Sequence, residues 1–257
     1  MQKKRSQLID DGYCIVENIL SEDFLVELRR ESDRQIEAVT TPPPHWKYQG
    51  SDIHVKGLDN PLIDRLLRWP ATNAALAAMG LDDFPEPSTI IILSKPPRGG
   101  PLYWHQDWTN WNDPISAAPW PQYLFMAYYL TDTTRHNGCL RVIPGTHRKR
   151  IDLHDRLTPA HKEGAYAGVD DNPDMFADDP RAVDVNVKAS DLVIGEGRIL
   201  HAAHGNQSDA RRTLMISFRA RPRTVPANWT GDVPEAIRNR DPDAKYAGTR
   251  IPGKYLA

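Results

Sequence analysis

The sequence predicts a mostly β, α+β fold in which helices precede a sandwich or barrel. Two observations carry that prediction. Residues from about 20 to 80 show helical spacing, whereas β-branched and aromatic runs dominate from Ser88 onward. The chain also holds 22 prolines, well above the usual ~5 % share, which favours ordered loops over long helices.

Each element follows from a local signal. Tyr13-Cys14-Ile15-Val16 reads as a short strand. Ser21 then caps a helix from Glu22 to about Val39, with Phe24, Leu25, Leu28 and Ile36 on one stripe, and Pro42-Pro43-Pro44 ends it. Leu62, Leu66 and Leu67 mark another helix, and Ala71 to Met79 a third. Thr89 to Leu93 and Tyr123 to Leu130 have the composition of buried strands, and Leu140 to Ile143 follows the turn signal Asn137-Gly138. Further strands are expected at Val183 to Val187, Leu192 to Ile194, Ile199 to His201 and Arg212 to Phe218. No repeat or composition break divides the chain, so one domain over 1–257 is expected. It comprises a helical part at about 20–80, a β core at about 88–220 and a loop-rich tail at 221–257.

Bulk properties exclude several functions. With 32 basic and 34 acidic side chains, the net charge of -2 argues against nucleic acid or an anionic membrane as partner. No apolar run approaches the ~20 residues a spanning helix needs, and the start of the chain turns acidic before any signal-like stretch. Cys14 and Cys139 lie far apart, without metal-type spacing. A cytoplasmic protein is expected, with an oligomeric state the sequence does not specify.

The chemistry centres on LYWHQDWTNW, residues 102–111. A carboxylate among aromatic rings is costly to bury unless a cation, a metal or a hydrogen bond meets it. In extended chain, His105 and Asp107 point one way and Gln106 the other. A third ligand would come from Leu200-His201-Ala202-Ala203-His204, where either histidine qualifies. Two imidazoles and one carboxylate on one face, with the remaining positions open, is the facial triad of non-haem Fe(II) oxygenases. Arg211 and Arg212 open the next strand. If that strand ran antiparallel to the one ending at His201, an arginine at its start would enter the same cavity. Its planar fork suits the carboxylate of a co-substrate.

Four pieces, in order, now carry a family resemblance: "ILSKPP", "HQD", "NGCLRVIPGTHR" and "DLVIGEGRILHAAHGNQSDARRTL". From "DGYCIVENILSEDFLVELRR" to about Phe218, the chain resembles the phytanoyl-CoA dioxygenase family of Fe(II)/2-oxoglutarate-dependent oxygenases. The resemblance implies a double-stranded β-helix, a cupin-like jelly-roll barrel with flanking N-terminal helices. It implies Fe(II), 2-oxoglutarate and O2 as cofactor and co-substrates, and hydroxylation of a small molecule with release of succinate and CO2. His105, Asp107 and His201 match the family's iron ligands. His201 is favoured over His204 because the family's histidine precedes an asparagine by five residues, as His201 precedes Asn206. The family's 2-oxoglutarate arginine follows by eleven positions, which selects Arg212. Lys56 matches a lysine that also contacts 2-oxoglutarate, and Ile91 a pocket position. His204 becomes a pocket-wall or supporting group.

The chain also departs from the family. Ala203 stands where a serine is common and Ala127 where a tryptophan is common. Tyr103, Tyr128 and Tyr129 are candidates for the missing co-substrate hydrogen bond. Trp104, Trp108, Trp111 and Trp120 are expected either to wall the site or to pack in the core. The competing readings are a desaturase, cyclase or halogenase of the same family, a cupin-like zinc or manganese enzyme, and a non-catalytic binding barrel. Asp107 speaks against a halogenase, which leaves that ligand position to chloride, and Arg212 against the last two.

Overall fold

In a computed structural model, the described residues are 1–159, 169–221 and 235–241. Most of the tail at 221–257 therefore lies outside them. The chain opens with helix α1 (Gln2–Asp11) and strand β1 (Tyr13–Val16). Helix α2 (Glu22–Glu37) starts where expected because the Ser21 hydroxyl accepts a hydrogen bond from the Phe24 amide at 3.3 Å. A short α3 (Trp46–Gln49) leads into β2 (Ser51–Lys56), followed by α4 (Pro61–Leu67) and α5 (Pro70–Ala78), each with proline in its first turn.

The remaining strands are β3 (Thr89–Lys95), β4 (Leu102–His105), β5 (Tyr123–Tyr129), β6 (Leu140–Val142), β7 (Val183–Val185), β8 (Leu192–Glu196), β9 (His201–Ala203) and β10 (Arg212–Ala220). They form a six-stranded antiparallel sheet, in the order β1-β8-β5-β10-β3-β2, facing a four-stranded one, β4-β9-β6-β7. This is the double-stranded β-helix with flanking helices.

Alternation along each strand divides the core in two. Ile90, Ile92, Leu124, Met126, Tyr128, Ile194 and Met215 point outward, where Phe24, Leu28, Leu66 and Leu76 of the helices cover them. Phe125, Ala127, Tyr129, Val193 and Leu214 point inward, toward Val142 and Val185 of the smaller sheet. Gly195 is required here: a Cβ at that position would meet the Phe125 ring at 1.9 Å. The ring therefore lies against bare β8 backbone and reaches His201, with centroids 5.2 Å apart.

One expected pairing is wrong. β10 is not the antiparallel neighbour of β9; it pairs with β3 and β5, while β9 pairs with β4 and β6. Between them Asn206 turns the chain, its amide donating to Pro96 O at 2.9 Å and Ala210 O at 2.8 Å. The turn carries the chain from one sheet to the other, so β10 faces β9 across the barrel instead of lying beside it.

Candidate active site

The two imidazoles owe their proximity to strand register. His105, the last residue of β4, is the direct cross-strand partner of His201, the first of β9, and the ring centroids are 4.1 Å apart. His105 Nδ1 lies 2.9 Å from Tyr103 O, and His201 Nδ1 lies 3.1 Å from Ile199 O. A carbonyl can only accept, so each Nδ1 carries the proton and each Nε2 presents a lone pair. Both Nε2 atoms face Asp107, at 3.7 Å from Oδ1 for His105 and 3.6 Å from Oδ2 for His201.

Asp107 is just beyond β4, not within it, and its neighbours hold it in place. The Gln106 side-chain amide donates to Arg198 O, and the Trp108 amide donates to Gly197 O at 2.8 Å. Both acceptors belong to the turn from β8 to β9. The three ligand atoms lie within 4.8 Å of one another, and all three side chains are buried. Such a group can hold a divalent metal and leave positions open to other ligands.

A cavity of about 440 Å³ extends from this group between the sheets. Its walls are mainly apolar, among them Ile91, Leu93, Leu140, Leu214 and Ile216. Tyr123 and Phe218 stack at one end, with centroids 5.3 Å apart and planes 8° from parallel. Arg212 enters from the start of β10, whereas Arg211 points outward, is exposed and donates to Ser94 Oγ at 3.2 Å. The one-residue difference in strand parity thus separates the two arginines.

The Arg212 guanidinium is buried, and no hydrogen bond or ion pair reaches it among the described residues. Burial holds its pKa below the usual arginine range. Beside it, across the β10–β3 pairing, stands a second buried cation, Lys95. Its ammonium donates to Gly100 O and His204 O, both at 2.8 Å. Burial first, then the charges of Arg212 and Arg141, pull Lys95 well below an ordinary lysine. A buried guanidinium with no carboxylate against it leaves this end of the cavity in need of an anion.

Other expected residues lie elsewhere. Lys56 is exposed at the last position of β2 and is not among the cavity walls. Asp52 and His54, on the same face of that edge strand, do line the cavity, but by Lys56 the strand has passed its rim. His204 is no wall either; its Nε2 meets Asp184 Oδ1 at 2.6 Å. None of the four tryptophans lines the cavity among the described residues. Trp104 packs with Ile143 and Leu200, and Trp108 with Ile115 and Ala118.

Gln49, Asp52 and His54 are wall residues the sequence reading missed. The alternation Asp52-Ile53-His54-Val55 was the available strand signal. Cys139, Asp184 and His204 form a second cluster of ligand types. There Arg135 already pairs with Asp184 at 3.3 Å, and burial pushes the Cys139 thiol up to about 11. Both features disfavour a cation.

A double-stranded β-helix with two imidazoles and a carboxylate converging between its sheets defines the class of Fe(II)- and 2-oxoglutarate-dependent oxygenases. Within that class the chain belongs to the phytanoyl-CoA dioxygenase family, whose pattern matches residues 8–214. It is 27 % identical over 251 residues to an ectoine dioxygenase of Bordetella parapertussis, covering 90 % of this chain and 79 % of that one. Among solved structures it resembles HygX from Streptomyces hygroscopicus, with nickel and 2-oxoglutarate bound (TM-score 0.63, 14 % identity, 86 % of each chain). It also resembles the carbocyclase SnoK from nogalamycin biosynthesis (TM-score 0.59, 20 % identity, 86 % of this chain and 83 % of that one). The family's cofactor set is Fe(II), 2-oxoglutarate and O2. No helix among the described residues is long and apolar enough to cross a membrane.

Proposed function

We propose that the protein hydroxylates a small molecule, with His105, Asp107 and His201 as iron ligands and Arg212 as the anchor of 2-oxoglutarate. The observation that carries this reading is the buried Arg212 guanidinium without a partner, facing the same cavity as the triad. A planar bidentate cation suits the distal carboxylate of a dicarboxylic 2-oxo acid, and the open ligand positions suit its other end. Bound iron supplies the activation of O2 coupled to decarboxylation of the 2-oxo acid to succinate.

The chain's own residues do the rest. The Tyr103 and Ile199 carbonyls keep both Nδ1 atoms protonated, so both Nε2 atoms present a lone pair to a metal. Leu93, Leu214 and Ile216 keep water from the reacting centre. Gln49, Asp52 and His54 offer the polar contacts that orient a substrate entering from the β2 side. Asp107 fills the ligand position that a halogenase leaves to chloride, which supports hydroxylation. The resemblance to a carbocyclase keeps ring formation as the second reading, because both begin with removal of a substrate hydrogen.

The test is succinate formation from 2-oxoglutarate with and without added Fe(II), run with a panel of small metabolites in oxygen-18 dioxygen. Substrate-stimulated succinate and a labelled alcohol are expected, and chloride should not alter the product. A product that gains a ring or double bond and no label would move the assignment to the second reading. Iron-independent turnover would remove both.

A further inference from the structure

We propose that the substrate is a compact primary amine with an apolar body, its ammonium group recognised by Asp52 on the β2 wall of the cavity. The inference rests on the reading of the cavity given above and names the substrate class it takes. Asp52, Asp107 and Arg212 are the carboxylates and guanidinium that line the cavity among the described residues. With a divalent metal and dianionic 2-oxoglutarate in place, their charges cancel those of Asp107 and Arg212. Asp52 then leaves a negative charge without a counterpart on the side from which the substrate enters. A water-poor cavity favours a cation that answers such a charge and disfavours an anion.

The carboxylate is oriented in advance. Asp52 lies across from Leu93 of β3, and Leu93 across from Leu214 of β10, so the three share one row of the inner wall. Arg212 is one inward position further along β10, two strands away from β2. At ~4.8 Å per strand, more than about 9 Å separates the two backbones. From the chain around α3, Trp46 Nε1 donates to Asp52 Oδ1, and His45 Nε2 lies 2.7 Å from Oδ2. A carboxylate only accepts, so each oxygen has one donor that fixes it, and about two of its roughly four acceptor sites remain for a ligand. Gln49 and His54 line the same wall. An amide oxygen and a ring nitrogen can accept the remaining protons of an ammonium.

The rest of the cavity shapes the body of the molecule. Its volume of about 440 Å³ is near the low end of the ~300–1,000 Å³ usual for small-molecule sites, and the co-substrate shares it. From Asp52 the inner wall runs through the Ile91–Ile216 pair to Phe218, which stacks on Tyr123. These surfaces suit an apolar or aromatic body, and ring faces add attraction for a cation. No lysine or second arginine lines the cavity among the described residues, so an anionic substrate would leave its own charge unpaired.

The experiment is anaerobic calorimetric titration of the full chain, loaded with Mn(II) and 2-oxoglutarate, with 2-phenylethylamine, 2-phenylethanol and 3-phenylpropanoate. The three share a ring and differ in the charge of the terminal group. The amine should bind about tenfold to a hundredfold more tightly than the alcohol, the range for a hydrogen bond to a charged group, and the carboxylate more weakly still. Asp52→Asn should bring the amine to the affinity of the alcohol, and its uptake of 2-oxoglutarate during loading reports that the fold survives. The wild-type comparison needs no substitution, so it decides the substrate class even where the variant fails to fold. Amine binding no tighter than that of the alcohol, absence of both included, overturns the proposal, as does an amine preference that survives Asp52→Asn. The loading step separates this inference from the reading it rests on. A protein that takes up no 2-oxoglutarate, yet prefers the amine through Asp52, keeps the cation site and loses the proposed reaction.

Discussion

Replacing Arg212 with methionine should strengthen the empty protein and weaken the loaded one. Arg212 is 5 % exposed, has no anionic partner among the described residues, and stands next to buried Lys95. Exchanging buried charge for a well-packed apolar side chain is often neutral to stabilising by about 1–4 kcal/mol. At ~2–4 °C per kcal/mol for a chain of this size, the melting temperature without ligand should rise by several degrees. With 2-oxoglutarate the sign reverses. Losing one partner of a desolvated charge pair costs about 2–5 kcal/mol, which is a dissociation constant roughly thirtyfold to several thousandfold higher. At a concentration of ~100 times the wild-type dissociation constant, ligand adds ~2.7 kcal/mol of stability. A thirtyfold weaker variant retains under ~1 kcal/mol of that at the same concentration. Anaerobic thermal melts of the Mn(II)-loaded proteins, with and without 2-oxoglutarate, read both effects without turnover. Arg211→Met is the control, since its exposed side chain should change neither. An Arg212→Met protein that melts lower when empty and keeps the full ligand shift would refute the reasoning.

Three further outcomes are expected. His105→Ala, Asp107→Ala and His201→Ala should each lose stoichiometric Fe(II) in equilibrium dialysis while His204→Ala keeps it, because His204 is held by Asp184; iron lost from His204→Ala and kept in His201→Ala would reverse the assignment. Lys56→Ala should leave 2-oxoglutarate affinity unchanged in an anaerobic calorimetric titration of the Mn(II)-loaded protein, given its place beyond the cavity rim; a tenfold loss would bring the lysine back into the site. Burial lowers His147 to about 3, with Ile9 O accepting from it at 2.9 Å. A depressed histidine contributes stability above its unfolded pKa of ~6.5 that is lost as pH falls from there toward 3, so the chain should be about 2 kcal/mol less stable at pH 5 than at pH 7. Urea midpoints at the two pH values measure this, and His147→Gln should flatten the difference.

The sequence disclosed what depends on local pattern and hid what depends on assembly. Ser21, the proline-led helices and the β-branched run from Thr89 were readable because each signal lies within one element. Strands β2 and β4 were not assigned, since Ser51–Lys56 carries polar residues on a face that only the cavity explains, and Leu102–His105 is short and aromatic. His105 and Asp107 were paired from their spacing, and His201 was chosen over His204 only through the family resemblance, yet the reason His105 and His201 meet is a cross-strand pair that no spacing reveals. Arg212 was named partly on a pairing that does not exist; it reaches the cavity from the opposite sheet. Lys56 lies outside the cavity walls because where a strand passes a rim is a tertiary property. The tryptophans around residue 108 advertised a site but fill the core beside it.

The His105–Asp107–His201 group is also tied to a buried ion pair that the sequence did not single out. Glu196 and Arg198 are fully buried, with Arg198 Nε 2.9 Å from Glu196 Oε2. Burial raises the Glu196 carboxyl, and the Arg198 charge opposes that shift. Such a pair offers little net stability against an apolar substitute, so its value lies in geometry. The guanidinium donates to Ser116 O at 2.8 Å, Ala118 O at 2.9 Å and Trp120 O at 3.1 Å, which fastens the end of the long loop after β4. The start of that loop is fastened to the same turn, through Gln106 to Arg198 O and Trp108 to Gly197 O. Asp107 lies between those two attachments, and His201 follows three residues after Arg198. A single rigid turn thus fixes the carboxylate and one imidazole, and the β4–β9 register fixes the other. The three side chains come from two distant stretches of chain, yet their spacing depends on one short segment of backbone.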